Sequence, residues 1–481
     1  MGKWWMITIK KLNEVYLHIS SDVSIHQEIY EEFKYRPVNY KFDPRFKNRF
    51  WDGYVSLYNK NTCILGLGIL PELETFLKKQ NYEYKLEGDF SKNNFTEKEA
   101  LEFIKTLNIP EKYQIRDYQL KYFMEGVKNK KIICLSSTSS GKSLILYLFF
   151  RYFNKRTVLI VPTIALVTQM YEDFKSYGFL GDVHLIMEGE SRVTDKQLII
   201  STYQSLINEK KSWFEDKEII LADEVHTFQS KSLKKLMEKT INSNIKIGMT
   251  GTLQDIKDQL SLMTIRSLFG PIHKYITTKE LIDRGFSSPV DFKIIILNHK
   301  NSPYYENTYG VNYEDEISYL LNSDERNQFI KTLALSLKEN TFIMFNNKDH
   351  GKVLYEKIKR ESKVPVFYVD GDNDSKERKN IINEIEILKN SITLCSKVFN
   401  TGINIHNLHN LILVHPTKSR IKTLQSIGRG LRKSPDKKLL TVYDIADKIS
   451  KKQSSTFLHM KEREKMYLDE KFNYQKISVN I

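Results

Sequence analysis

Cysteine is nearly absent from this sequence. Its 481 residues hold three, Cys63, Cys134 and Cys395, far apart and without C-x-x-C spacing, which excludes a disulfide framework or a zinc cluster. Cys134 and Cys395 sit inside apolar runs and read as small core hydrophobes, so a reducing cytosol is the expected setting. No stretch approaches the roughly 20 apolar residues of a membrane span. The first residues, Met1-Gly2-Lys3-Trp4-Trp5-Met6, lack a signal-peptide core, and Met6 stands where a myristoylation motif needs Ser or Thr. Low-complexity tracts are missing, and no repeat is visible beyond two similar halves. Acidic residues are in deficit: 59 Asp and Glu against 74 Lys and Arg leave a net charge of +15. Membrane-spanning and secreted disulfide-rich classes are thus set aside in favour of a soluble intracellular protein. The charge points to a polyanionic partner.

What is present is a globular composition, 41% hydrophobic and 28% charged, in a chain long enough for two to four domains. Its organising stretch is Leu135-Ser136-Ser137-Thr138-Ser139-Ser140-Gly141-Lys142-Ser143, between the apolar runs Lys131 to Cys134 and Leu144 to Phe150. A strand, a loop of small residues and a buried helix form the context of a phosphate loop. Backbone N–H groups of Ser137, Thr138, Ser139, Ser140 and Gly141 would face a polyphosphate, helped by the positive end of the helix. Lys142 would reach the β- and γ-phosphates and Ser143 would take a position on Mg²⁺. The pattern G-x-x-x-x-G-K-[ST] departs at one point, with Ser136 in place of glycine.

A second element supports this. Glu218 to Ala222 is a buried-strand run that ends in Asp223-Glu224-Val225-His226, and carboxylates at the carboxyl end of a parallel strand stand where α/β sheets bind ligands. Asp223 suits Mg²⁺, and Glu224 suits orienting and deprotonating an attacking water. Together the two elements predict NTP hydrolysis.

Residues 1–108 carry no nucleotide motif. Strand-like alternation mixed with helical segments predicts a small α+β module. Its run of aromatic and basic residues, Tyr35 to Trp51, divides between core packing and a surface that neutralises phosphates and stacks on bases. Next comes Arg116-Asp117-Tyr118-Gln119, whose glutamine can pair with an adenine edge. Beyond the phosphate loop, apolar strands alternate with helices and end in small or hydroxylated residues: Pro162-Thr163, Ser201-Thr202, Thr250-Gly251-Thr252. A second series starts after Pro289, with strand runs at Val290 to Leu297, Thr341 to Phe345, Val366 to Val369, Ser391 to Leu394, Leu411 to Val414 and Leu440 to Tyr443. The class is α/β, with doubly wound parallel sheets. Residues 446–481 are charged and helix-prone.

Gln119, Gly141-Lys142-Ser143, Pro162-Thr163, Asp223-Glu224-Val225-His226, Thr250-Gly251-Thr252, Thr401-Gly402-Ile403-Asn404 and Gln425 to Arg432 resemble the ordered motifs of superfamily 2 helicases. Several stretches, among them Gln425-Ser426-Ile427-Gly428-Arg429-Gly430-Leu431-Arg432-Lys433 and Asp469 to Tyr474, are similar to recombination and repair helicases of T-even-like bacteriophages. The resemblance implies two tandem RecA-like domains, 109–288 and 289–445, with the α+β module 1–108 ahead of them and a short helical extension, 446–481, behind. It implies ATP and Mg²⁺ as cofactors. Arg116, Gln119 and the phosphate loop would bind nucleotide, and Arg429 and Arg432 would serve as arginine fingers.

DNA contacts would come from Pro162, Thr163, Ser201, Thr202, Phe345, Asn346, Thr401 and Gly402. His226, Thr250, Thr252 and Gln425 would couple ATP to that track, whereas Asn404 stands where the family often has an acid. Implied substrates are forks, Holliday junctions, D-loops and R-loops, with 3′ to 5′ unwinding in the cytoplasm of an infected bacterial host. RNA–DNA hybrids and phage recombination or single-strand-binding proteins are further partners of this reading. An RNA helicase and a double-stranded DNA translocase remain open as alternatives.

Overall fold

The computed structural model describes residues 6–481 apart from 138, 188–189, 252, 254–257, 307–310, 397–406, 417–438 and 453. It divides into two compact units, 1–136 with 141–275, and 276–481 with the short loop 137–140.

The first unit begins with β1 (Ile7–Lys11), β2 (Tyr16–Ser20), the ribbon β3 (Lys34–Tyr35) and β4 (Val55–Ser56), then β5 (Ile64–Gly66) and β6 (Tyr84–Glu87). The order β5-β2-β1-β6 makes a mixed sheet, antiparallel except for β1 with β6. Alternation sets its inner face: Ile7, Ile9, Leu17 and Ile19 are buried. Ile25 and Ile29 of helix Val23–Glu32 and Leu73, Phe76 and Leu77 of helix Leu70–Lys79 close over the same core. This is the small α+β region expected. Helix Glu97–Thr106 follows, and its Phe103 stacks on Phe123 of the next helix, Asp117–Asn129, at 5.8 Å.

The large sheet of this unit contains β7 (Lys131–Leu135), β8 (Thr157–Val161), β9 (Val183–Ile186), β10 (Leu198–Thr202), β11 (Ile219–Ala222), β12 (Ile245–Thr250) and β13 (Ile272–His273). They lie in the order β13-β7-β12-β11-β8-β10-β9, all parallel. Strands β8, β10, β11 and β12 are buried along their whole length. Covering both faces with helices demands such continuous apolar runs.

The small sheet is seated on this domain through the helix Gln259–Phe269. Met263 of that helix belongs to the N-terminal core, and Arg266 pairs with Glu72. The fit is close: a Cβ on Gly68 would lie 2.1 Å from the Arg266 carbonyl oxygen, and one on Gly66 would lie 2.8 Å from Cβ of Ser267. Glu14 completes the contact. Its carboxylate pairs with Lys131 at the start of β7 at 2.5 Å, and its carbonyl accepts from Lys246 of β12 at 3.0 Å.

The second unit has β14 (Val290–Asn298), β15 (Thr341–Met344), β16 (Val366–Val369), β17 (Ile392–Cys395), β18 (Asn410–Leu413), β19 (Leu440–Lys448) and β20 (Tyr474–Asn480). Their order is β16-β17-β15-β18-β19-β14-β20, again all parallel. The C-terminal stretch supplies the expected helix, Ser455–Asp469, and adds β20, which pairs Phe292 with Tyr474. The helix is held by a buried ion pair: Arg463 donates to both oxygens of Asp444 on β19 at 2.7–3.0 Å, and the Tyr467 hydroxyl donates to the same carboxylate at 2.9 Å. No helix among the described residues is long and apolar enough to cross a membrane.

Candidate ATP site and nucleic-acid track

Strand β7 leads into the phosphate loop and helix Lys142–Phe153 leaves it. Ser139 and Gly141 take left-handed backbone angles, φ +66° and +79°. Gly141 is further required by space, since a Cβ there would lie 2.4 Å from Nε2 of Gln119. Ser136 does not take a positive φ. It is fully buried and donates its N–H to the Thr250 carbonyl at 2.9 Å. The missing glycine is therefore explained, because this position needs no left-handed residue.

Gln119 is buried, and its Oε1 accepts the Arg116 N–H at 2.9 Å while its amide nitrogen faces Gly141. It joins the first turn of helix Asp117–Asn129 to the loop. The Arg116 guanidinium donates to the Tyr118 hydroxyl at 2.7 Å.

Asp223 and Glu224 follow β11, paired on one side with β12 and on the other with β8. Lys142 Nζ lies 3.9 Å from Glu224 Oε1. The other Glu224 oxygen is 3.1 Å from His226 Nδ1 and 3.4 Å from the Thr250 hydroxyl, and His226 Nδ1 is 3.0 Å from that hydroxyl. The sequence-predicted Lys142, Asp223, Glu224, His226 and Thr250 thus converge at the ends of β7, β11 and β12. Glu224 adopts φ +52°, a strained conformation for a residue with a side chain and one that clusters at functional sites. Burial, then the Glu224 charge, push the Asp223 carboxyl up to about 6. Burial opposes the Glu224 charge as well, but Lys142 and His226 outweigh it and hold that carboxyl down to about 2.

The Ser143 hydroxyl shares a hydrogen bond with Tyr177 at 2.8 Å. Tyr177 was not singled out from sequence. It lies on the turn after helix Ile164–Ser176, and no local pattern announces that its ring returns to the phosphate loop.

The track residues are placed unevenly. Thr163 and Thr202 cap the helices that follow β8 and β10, accepting from Leu166 and Ser205 N–H at 3.4 Å. These strands are neighbours, with Val161 level with Thr202, so Pro162-Thr163 and Thr202 share one edge. Ser201 is different: it is fully buried and its hydroxyl turns to the carbonyls of Ile186 and Thr202. Phe345 is turned inward as well. It is 1% exposed and stacks on Tyr368 at 5.3 Å in the core of the second unit, leaving Asn346 as the side chain at that strand end with partial exposure. Thr138, Thr252, Thr401, Gly402, Asn404, Gln425, Arg429 and Arg432 lie outside the described residues.

Three family models match the chain: type III restriction enzyme, res subunit, over 102–255; helicase conserved C-terminal domain, over 325–434; and DNA helicase UvsW, N-terminal, over 7–87. Two parallel-sheet domains, a phosphate loop and an Asp-Glu-Val-His strand end define a superfamily 2 helicase. The ATP-dependent DNA helicase uvsW of Enterobacteria phage T4 is 31% identical over 97% of this chain and 98% of its own length. The crystal structure of T4 UvsW is 30% identical, covers 99% of both chains and superposes with a TM-score of 0.52. The chain belongs to the UvsW family. A more distant relative, the DNA 3′-5′ translocase XPB2 of Sulfurisphaera tokodaii, is 24% identical over 69% of this chain and 82% of its own.

Proposed function

We propose that this chain is an ATP- and Mg²⁺-dependent DNA helicase that remodels branched DNA, including forks, Holliday junctions, D-loops and R-loops. The observation that carries the motor reading is the convergence of Lys142, Glu224, His226 and Thr250 at the ends of adjacent strands. In this reading Gly141 and its neighbours cradle the phosphates and Lys142 binds the β- and γ-phosphates. Glu224, kept ionised, orients the attacking water and takes its proton. His226 and Thr250 fix the Glu224 carboxylate and link hydrolysis to the strand-end edge where Pro162, Thr163 and Thr202 meet the DNA backbone. Asn346 does the same from the second unit.

The donor set fits Mg²⁺. Asp223 is a buried carboxyl whose charge burial and Glu224 disfavour and a cation would stabilise, and the Ser143 oxygen keeps a lone pair beside its bond with Tyr177. Two protein ligands completed by phosphates and water are the usual complement for this ion. Bound there, it would neutralise charge on the phosphates. Arg429 and Arg432 are assigned as arginine fingers from the motif Gln425 to Arg432, and Thr401-Gly402 as backbone contacts, on resemblance. Unwinding from 3′ to 5′, the branched substrates and the cytoplasm of an infected host rest on the same resemblance.

The test is ATP hydrolysis by wild type and Glu224→Gln without nucleic acid, with single-stranded DNA, with a four-way junction, and with RNA of equal length. Stimulation by DNA, greatest with the junction, is expected, with a loss of about 10²- to 10⁴-fold in Glu224→Gln while nucleotide still binds. Stimulation by RNA alone would overturn the DNA reading.

A further inference from the structure

Residues 36–54 of the N-terminal module form a turn-rich segment whose internal contacts make it rigid. Asp43 accepts the Arg45 N–H at 2.9 Å, and the Arg45 guanidinium returns to the same carboxylate at 2.9 and 3.1 Å. Tyr40 and Phe46 meet edge to face at 4.8 Å. They close over Gly53, where φ is +81° and a Cβ would lie 2.7 Å from the Tyr40 ring. The Trp51 indole donates to the Tyr54 carbonyl at 2.5 Å, and Arg36 lies over the rings of Tyr40 and Tyr54 at 5.0 and 4.4 Å.

Two rings of the segment are exposed, Phe42 and, more fully, Phe50. Arg49 takes φ +60°, the Phe50 N–H donates to the Arg45 carbonyl at 2.8 Å, and the Phe50 side chain is 85% exposed. Phe50 stands at an open hollow of about 600 Å³ that Lys41, Lys47 and Arg49 also line. The acid at its rim, Asp52, is engaged by Lys34 at 3.3 Å and by the Tyr54 N–H. An exposed apolar ring at a hollow shared with three cations matches a ligand with a flat face and negative charge on its backbone. A base inside a duplex offers only its edge, whereas an unpaired base offers its face.

We propose that Phe50, with Lys41, Lys47 and Arg49, binds an unpaired nucleotide of a branched DNA: the base stacks on Phe50 and the flanking phosphates meet the three cations. The inference rests on the reading of the chain as a branched-DNA motor and adds where the branch itself is recognised.

The experiment uses the full chain and a DNA fork carrying 2-aminopurine as the unpaired base at the branch point, with a plain duplex of equal length beside it. Binding of wild type is expected to quench the fluorophore. Phe50→Ala should abolish the quench and weaken fork binding by about 5- to 100-fold, the range of one lost stacking contact, with duplex binding unchanged. Phe50→Trp should restore both, which also shows that the position tolerates substitution. ATP affinity in the absence of DNA should be the same in all three proteins, which shows that each is folded.

Equal weakening of fork and duplex in Phe50→Ala, or an unchanged quench, would overturn the proposal. So would loss of binding to an acidic single-strand-binding protein with DNA binding intact, which would assign the ring to a protein. Failure of the parent reading shows separately, as absence of DNA-stimulated hydrolysis in wild type.

Discussion

At the end of β11 two neighbouring carboxyls are driven in opposite directions, and each direction carries a pH signature. Asp223, at about 6, lies above its ordinary value of 3.8. Folding therefore favours its proton: the stability gained is full below about pH 4 and is lost as pH rises through 6. Glu224, at about 2, lies below its ordinary 4.5, so its contribution is present above that value and lost as pH falls toward 2. A divalent cation competes with a proton for the Asp223 carboxylate. Affinity for Mg²⁺-ADP should therefore fall about tenfold between pH 7 and pH 5, relative to metal-free ADP at the same pH, as isothermal titration would read. Asp223→Asn should remove that pH dependence. Gly141→Ala should weaken nucleotide binding, because it strains a left-handed backbone and pushes on Gln119. Fluorescent-nucleotide titration checks it.

Among the elements, strands with continuous apolar runs were legible in the sequence, including the edge strand β16, and strands of polar composition were not. Strands β8, β11 and β12 announce themselves as apolar runs because helices cover both sides. β20, Tyr-Gln-Lys-Ile-Ser-Val-Asn, is a largely exposed edge strand, and its composition carries no such signal. Helix Tyr313–Asn322 hid within a polar, tyrosine-rich stretch. That Lys142, Glu224, His226 and Thr250 come together was legible because their order along the chain is the motif. That the side chains of Ser201 and Phe345 turn inward was not legible, because the face a strand-end residue takes is set by neighbouring strands.

The buried polar groups of the second unit were equally silent, yet they fix its elements. Arg463→Met would strand the Asp444 carboxylate inside the protein and should cost about 3–5 kcal/mol, measured by urea unfolding. His350 is buried, and burial, then the charge of Arg326, hold it down to about 3. Its contribution is present above its ordinary 6.5 and is lost as pH falls toward 3, by up to about 1.4 kcal/mol per pH unit. Urea unfolding between pH 7 and 4.5 should show this slope, and His350→Gln should flatten it.

In the molecule as a whole, the N-terminal sheet shares its core with the first motor domain and leaves no room at their contact. Gly68→Ala would place a methyl against the Arg266 carbonyl and should cost about 1–3 kcal/mol. Limited proteolysis should detect the loosened module as faster cleavage between residues 87 and 97, with the phosphate-loop helix still protected.

That close seating gives the module no joint of its own. Glu14 grips the roots of β7 and β12, the two strands whose far ends carry the phosphate loop and Thr250. Any displacement of those strand roots would therefore be passed to the basic and aromatic face as the movement of one body, not absorbed at a hinge.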